Sequence, residues 1–357
     1  MKRVVKGLAA LLLGFGLTTP AQAYDVAEGF KISGFVDVDY DYQDRSQLST
    51  FTMEEAEIDI EKSIKDVGGL RVDLNYRSTD RMTAVSASET ETTATVPGLA
   101  DITAEQAFIY ANLPAGLKLT VGKFNAPIGF ELVDPNQMFQ YSHAMVFIYG
   151  LPTNLTGAMV SGASGMVDFS VYGVNGWDKI SDDNKDKTIG GRLGLTPVEG
   201  VNVGLSYITG KEGSDADGAS PNNLSAFDID STITAIPGLT IGLEYNSGKY
   251  EKQSVVNPGK DADWAGYLVM ANYAVTEKIG LTLRYDSFDD KEGARFGSGV
   301  KEKRDAFTIA PIYTIAPGFV ARAEYRYTKS DQKVFVDKDG ASNDSVTDIA
   351  VDFVYSF

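Results

Sequence analysis

The chain has 357 residues, 32 Lys and Arg against 49 Asp and Glu, a formal net charge of -17 and no cysteine. An acidic balance of this size argues against a nucleic-acid partner, which would need a basic footprint. Without cysteine there is no disulfide framework, no thiolate metal ligand and no cysteine nucleophile.

Residues 1–23 read as an export signal. Lys2, Arg3 and Lys6 form a basic n-region, residues 7–17 an apolar run, and Ala21-Gln22-Ala23 an A-x-A cleavage site. An apolar run of about 11 residues is too short for a spanning helix, which needs about 20. Cleavage after Ala23 would start the mature chain at Tyr24. Losing the three bases Lys2, Arg3 and Lys6 takes the formal charge from -17 to -20.

From residue 30 onward the chain alternates apolar and polar residues with period 2, the signature of strands with two different faces. Phe30, Ile32, Val36, Val38 and Tyr40 share one face, and Lys31, Ser33, Asp37 and Asp39 the other. Ala56, Ile58 and Ile60 alternate with Glu55, Glu57, Asp59 and Glu61, then Leu70, Val72, Leu74 and Tyr76 with Arg71, Asp73, Asn75 and Arg77. Later runs repeat the pattern, among them Leu239/Ile241/Leu243/Tyr245 and Ile279/Leu281/Leu283/Tyr285.

The connectors come in two sizes. Short ones fall near 62–69, 113–116, 163–165, 196–200, 235–238, 276–278 and 315–318, several with Pro then Gly, as in Pro237-Gly238 and Pro317-Gly318. Long polar ones fall near 43–51, 78–103, 125–155, 176–187, 210–225, 247–262, 287–304 and 329–344. Seven short and eight long connectors delimit about sixteen strands. The sequence therefore predicts an all-β protein, a single domain over 24–357: a transmembrane antiparallel up-and-down β-barrel with short turns at one rim and long loops at the other. Backbone polar groups cannot be left unpaired in lipid, so only helices and closed barrels span a bilayer. Pro97-Gly98-Leu99 looks like a short turn, but as a turn it would reverse every later strand, so it is assigned to the second long loop. Pro311 falls inside a predicted strand, where it removes a ladder hydrogen bond.

Tyrosines supply a second line of argument. Tyr42, Tyr76, Tyr207, Tyr245, Tyr285 and Tyr327 fall where strands run toward the long loops, and Tyr110, Tyr273, Tyr313 and Tyr355 near the short turns. Two belts of amphipathic rings at two water interfaces are expected of a membrane barrel.

The third long connector, 125–155, is unusually apolar, with Phe130, Met138, Phe139, Tyr141, Met145, Val146, Phe147, Ile148 and Tyr149. A loop bathed in water would not be written this way, so it is expected to fold into the lumen, where Glu131 and Asp134 are candidates to line a constriction. The lumen-facing positions of the strands carry both signs of charge. The candidate pore-lining acids are Asp37, Asp39, Glu55, Glu57, Asp59 and Asp73, and the bases Arg71, Arg192, Arg284, Arg322 and Arg326. Acids outnumber bases, which predicts a mild cation preference. A second reading stays open for Arg71, Arg77, Arg322 and Arg326, namely pairing with nearby acids to brace the wall.

Residues 105–157 include Glu105-Gln106-Ala107-Phe108-Ile109-Tyr110-Ala111-Asn112-Leu113-Pro114 and Gly122-Lys123-Phe124-Asn125-Ala126-Pro127-Ile128-Gly129-Phe130-Glu131. With the export signal and the terminal Tyr355-Ser356-Phe357, this resembles the OmpL-like family of β-barrel outer-membrane porins. The resemblance implies a Gram-negative outer-membrane pore for passive diffusion of small solutes and ions, in contact with lipid. It also implies a third loop in the lumen and a trimer; the residues themselves call for no cofactor, and His143 has no partner set for a metal. Phe357 would serve as the signal read by the barrel-assembly machinery.

Three other readings were weighed. The single histidine, His143, stands beside Ser142 with Asn154 further on, residue types used by barrel phospholipases, but adjacent strand residues point to opposite faces and the relay needs hydrogen-bond reach. The other two readings are an adhesin or structural barrel with an occluded lumen, and the barrel sleeve of an electron conduit. A sleeve would take its haems from partners, since no C-x-x-C-H attachment is present.

Overall fold

The computed structural model describes residues 23–77, 102–215 and 220–357. A short strand β1 (Tyr24–Ala27) precedes β2 (Phe30–Gln43), β3 (Leu48–Ile64), β4 (Gly68–Arg77), β5 (Ile102–Asn112), β6 (Lys118–Asn125), β7 (Asn154–Ser164), β8 (Val167–Val174) and β9 (Thr188–Val198). Then come β10 (Val201–Glu212), β11 (Asn222–Ile236), β12 (Leu239–Tyr250), β13 (Ala262–Ala274), β14 (Ile279–Asp290), β15 (Glu302–Ala316) and β16 (Phe319–Ser330). A two-residue pair, β17 (Phe335–Val336) and β18 (Ser342–Asn343), sits in the last loop before β19 (Ser345–Ser356), and one short helix, α1 (Met145–Gly150), lies in the third loop.

Each barrel strand pairs antiparallel with its neighbours in sequence, and β19 pairs with β2 from Asp348↔Gln43 to Ser356↔Phe35. The result is a closed barrel of sixteen strands, β2–β16 and β19. Closure leaves no unpaired edge. The seam is continued by Gly34 N–H to the Phe357 carbonyl (3.1 Å) and Phe357 N–H to the Gly34 carbonyl (3.0 Å). β1 folds back on β2 through Gly29, whose φ is +65° and where a Cβ would stand 2.3 Å from the Ser63 carbonyl oxygen. Among the described residues no helix is long and apolar enough to cross a membrane, so any crossing is by strands.

Residues 1–22 of the expected export signal over 1–23, and Pro97-Gly98-Leu99, lie outside the described residues. β4 nonetheless pairs antiparallel with β5, which keeps the strand directions as the loop assignment requires.

Alternation along the strands translates into two faces. On β2, Val36, Val38 and Tyr40 are exposed outward while Asp37 and Asp39 are buried inward. Pro311 pairs with Leu281, and on its other side the ladder skips from Ile309↔Tyr325 to Ile312↔Arg322 with no change of register. Two irregularities put an extra acid into the ladder, and the second aims it inward. Glu54 is the extra residue between Asp37↔Glu55 and Val38↔Met53, and Glu105 the extra residue between Asp73↔Gln106 and Leu74↔Ala104. Bulges of this kind re-aim side chains near functional sites.

The tyrosine pattern needs two corrections. Tyr207, Tyr245, Tyr285 and Tyr327 project outward, but their strands run on to Glu212, Tyr250, Asp290 and Ser330, so the rings mark a level on the wall rather than its end. Tyr110 is opposite Thr120, which is buried in the lumen, and its ring covers Gly69; it faces inward, with Ile109 taking the outward position. Tyr273, Tyr313 and Tyr355 do face outward. Leu283 lies between the two levels of rings, outward and exposed. Leu283→Arg is expected to cost about 2–4 kcal/mol of barrel stability in a bilayer, the penalty for a cation at mid-depth on a lipid face; urea titration of the protein folded in vesicles measures it.

Candidate functional site

The loop 126–153 leaves β6 and returns to β7, yet its hydrogen bonds run to strands elsewhere in the ring. Phe130 N–H donates to Glu244 of β12 (2.8 Å), and Asn246 of the same strand donates to the Val146 carbonyl (3.1 Å). From β14, Thr282 donates to the Phe139 carbonyl (2.8 Å), and Arg284 pairs with Glu131 (2.8 Å) and donates to the Ser142 carbonyl (2.5 Å). From β16, Arg322 donates to the carbonyls of Pro135 (2.7 Å) and Met138 (2.9 Å), and Arg326 to that of His143 (3.0 Å). Tyr141 donates to Asp39 of β2 (3.0 Å). The loop lies in the lumen, as its apolar composition predicts, and wall arginines satisfy backbone carbonyls that water would otherwise have to serve.

Apolar packing holds the loop as well. β13 presents Trp264, Leu268 and Met270 inward, all buried, and Tyr267 and Val269 outward, so it is apolar on both faces. Met145, Val146, Leu151 and Ile128 of the loop join these residues in one core cluster with Phe288 and Leu155. Burying a side chain of this size contributes roughly 1.5–3 kcal/mol. Two inward glycines make room for the loop. A Cβ on Gly242 would stand 2.2 Å from Cζ of Phe130, and one on Gly266 would stand 2.7 Å from Cγ1 of Val146.

The predicted site residues fall into three groups. Glu131, Arg284, Arg322, Arg326, Asp37 and Asp39 lie buried between loop and wall. Glu131 also accepts from Gln140 (2.9 Å) and Ala144 N–H (2.7 Å); Arg322 is held by Asp352, with Asp37 at 3.8 Å, and Arg326 by Asp286 (3.2 Å). Arg192 is half-buried and bound by Asp230, with Asn202 at 3.3 Å. The third group is an acidic cluster on β3–β5: Glu55, Glu57 and Asp59 at alternate positions of β3, Asp73 opposite Asp59 on β4, and Glu105 in its bulge on β5.

Two arginines serve that cluster. Arg71 bridges Asp59 (3.1 Å) and Asp73 (2.8 Å), and Arg77 bridges Glu55 (2.9 Å) and Glu105 (2.7 Å). Asn75 donates to Glu55 and Glu105. Asp134 of the loop reaches the same cluster, where burial and the Glu105 and Glu55 carboxylates push its carboxyl well above the usual range. One oxygen each of Glu55, Glu57 and Glu105 lie within 4.8 Å of one another, and so do those of Glu57, Asp59 and Asp73. Glu105, Asp286 and Glu324, which accepts from Ser142 N–H (3.0 Å), escape the sequence reading. For Glu105 the cause is the bulge, which alternation does not reveal.

Ser142 and His143 do not form a relay. The Ser142 hydroxyl accepts from Arg284 (2.9 Å) and Arg326 (3.0 Å), while the imidazole Nε2 meets the Leu132 carbonyl (2.8 Å) and the ring stacks on Phe147 at 4.2 Å. The Asn154 amide donates to Asn125 (2.6 Å).

Among curated proteins none matches the sequence significantly. Solved structures share the architecture at low identity. An anion-selective porin from Comamonas acidovorans aligns with TM-score 0.66 at 10% identity, over 92% of this chain and 99% of that one. The outer membrane channel DcaP of Acinetobacter baumannii aligns with TM-score 0.65 at 14% identity, over 94% and 99%. OmpT, an outer membrane protein of Vibrio cholerae, aligns with TM-score 0.63 at 14% identity, over 93% and 99%. The family model described as "Putative beta-barrel porin-2, OmpL-like" matches residues 29–357, and the chain belongs to that β-barrel porin family.

Proposed function

We propose that the protein is a Gram-negative outer-membrane channel through which small hydrophilic solutes and ions diffuse, with a preference for cations. One observation carries the reading. The inserted loop is fastened over β12–β16 and β2, while inward side chains on β3, β4, β9 and β10, namely Asp59, Glu61, Arg71, Arg192 and Asn202, stay half-exposed. A polar, water-accessible arc beside a packed loop is the cross-section of a narrowed bore. Asp59 and Arg71 face that bore, and just behind them lie the buried acids Glu55, Glu57, Asp73, Glu105 and Asp134, against the two arginines Arg71 and Arg77. Fixed negative charge in a narrow, low-dielectric passage raises the local concentration of cations. The buried group around Arg284, Arg322 and Arg326 holds the loop, and the acidic arc sets the ion preference.

Export with cleavage after Ala23, a single barrel domain over 24–357, delivery by the barrel-assembly machinery and assembly as a trimer complete the proposal. OmpT of Vibrio cholerae has been solved in a trimer form, which supports the last point. The mass of the mature chain and native mass spectrometry of the detergent complex check cleavage and subunit number.

Reconstitution into planar bilayers under a roughly tenfold KCl gradient tests the function. Stable conductance steps with a reversal potential of the potassium sign are expected. A potential of the chloride sign would overturn the cation preference. Silence from protein shown to be folded and inserted would overturn the channel and favour a structural barrel.

A further inference from the structure

We propose that Glu55, Glu57 and Glu105 of the wall and Asp134 of the inserted loop bind one calcium ion, which ties the free side of the loop to β3–β5. Three carboxylates on adjacent strands already bring one oxygen each within 4.8 Å of one another. Two oxygens on opposite sides of a calcium ion, each about 2.4 Å from it, stand about 4.8 Å apart. Asp134 comes from a different part of the chain and its carboxyl is hydrogen-bonded to that of Glu105, which brings the loop to the edge of this group.

Asn125 donates to Glu105 (2.9 Å) and Gln137 to one oxygen of Asp134, but the protein's own donors leave Glu57 and the other oxygen of Asp134 short. Arg77 is divided between Glu55 and Glu105, and Arg71 between Asp59 and Asp73. Among the described residues Glu57 has no cationic partner. Three buried oxygens there receive no hydrogen bond: Oε2 of Glu57, Oδ1 of Asp134 and Oδ1 of Asn75. Glu57 is 2% exposed and Asp134 5%. Buried carboxylate oxygens without donors are costly unless a proton or a cation meets them.

The donors select the ion. All are oxygens, four of them anionic groups that can bind through one oxygen or two, with an amide carbonyl alongside. That is the set taken by a hard cation of high and flexible coordination number, rather than by zinc or copper. Magnesium demands a near-ideal octahedron and gives up water reluctantly, which suits a crowded cluster poorly. Bound calcium would cancel two negative charges on the acidic arc and pin Asp134, so it would both weaken cation preference and narrow the passage. That consequence rests on the channel reading; the binding itself does not require that current flow.

Calorimetric titration of the mature protein in lipopolysaccharide-free detergent, stripped with chelator, tests the site. One calcium per chain is expected, with Kd on the order of 10⁻⁴–10⁻³ M, as in extracellular modules. Glu57→Gln keeps the shape and removes a charge from a crowded cluster, so it folds, and it should weaken binding by about tenfold or more, the scale of losing a charged ligand. Asp134→Asn should weaken it as well, and Asp228→Asn on β11 should leave it unchanged. No saturable calcium binding up to about 10 mM, well above the range of such sites, would overturn the proposal. So would an unchanged Kd in the folded Glu57→Gln/Asp134→Asn double variant. Magnesium binding of equal strength would overturn the choice of calcium. In bilayers, millimolar calcium should shift the reversal potential toward chloride in the wild type and not in Glu57→Gln. Calcium binding without conductance would leave the site standing while the channel fell.

Discussion

Arg284→Met is expected to destabilise the barrel by about 3–5 kcal/mol, the cost of breaking a buried ion pair and stranding its partner, and to raise single-channel conductance. Arg284 is fully enclosed. Its guanidinium meets Glu131 at 2.8 Å and Asp286 at 3.6 Å, and it also donates to the carbonyl and hydroxyl of Ser142. These contacts join the two limbs of the inserted loop to β14, so one substitution releases both. Methionine fills a similar volume, so the loss is electrostatic rather than a cavity. Glu131 keeps Gln140 and the Ala144 N–H, which soften the penalty but supply no positive charge. The double variant Glu131→Gln/Arg284→Met removes the stranded charge and should recover part of the loss, so the two changes are not additive. Urea titration read by the gel shift of folded barrel gives the stability, and bilayer recording the conductance. A double variant as unstable as the sum of the singles would show that the ion pair is not the cause.

The second large effect is steric. Gly242→Leu should cost about 1–3 kcal/mol, the usual range for overfilling a packed interior, and should open the bore as Arg284→Met does. A Cβ at Gly242 would meet the ring of Phe130 at 2.2 Å, so the ring has to leave. Phe130 N–H is bonded to Glu244 and the next residue is Glu131, so the displacement passes directly to the loop's anchors. Gly173→Ala is the matched control, since nothing stands within 4 Å of its Cβ position. Equal conductance in Gly242→Leu and wild type would place the loop's restraint elsewhere.

Strand number, the two faces and the inward course of the third loop were legible in the sequence for one physical reason. A barrel wall between lipid and water repeats a two-residue period, and a loop that leaves water loses its polarity. The residues that meet across the lumen were not legible. Arg284 and Glu131 stand 153 positions apart; alternation reports only that Arg284 points inward, and composition only that the loop holding Glu131 enters the lumen. The docking face was in fact written into β13, where Trp264, Leu268 and Met270 make the inner side as apolar as the outer. A strand of that kind inside a watery barrel is covered by something. Tyr110 was counted in the rim belt because an aromatic near a strand end suits an interface, although the Phe108-Ile109-Tyr110 strand reads ambiguously in sequence; the actual ring lies over Gly69.

Because the wall is a ring joined between its last strand and β2, it has no partially complete form that is quiet. Until residues 345–356 exist, β2 and β16 each present a bare row of amides and carbonyls along their whole length. A barrel folded without that segment would keep both margins open, each a template for pairing with a second copy. A shortened gene product lacking that segment should be found as aggregate or as protease fragments rather than as a smaller cylinder.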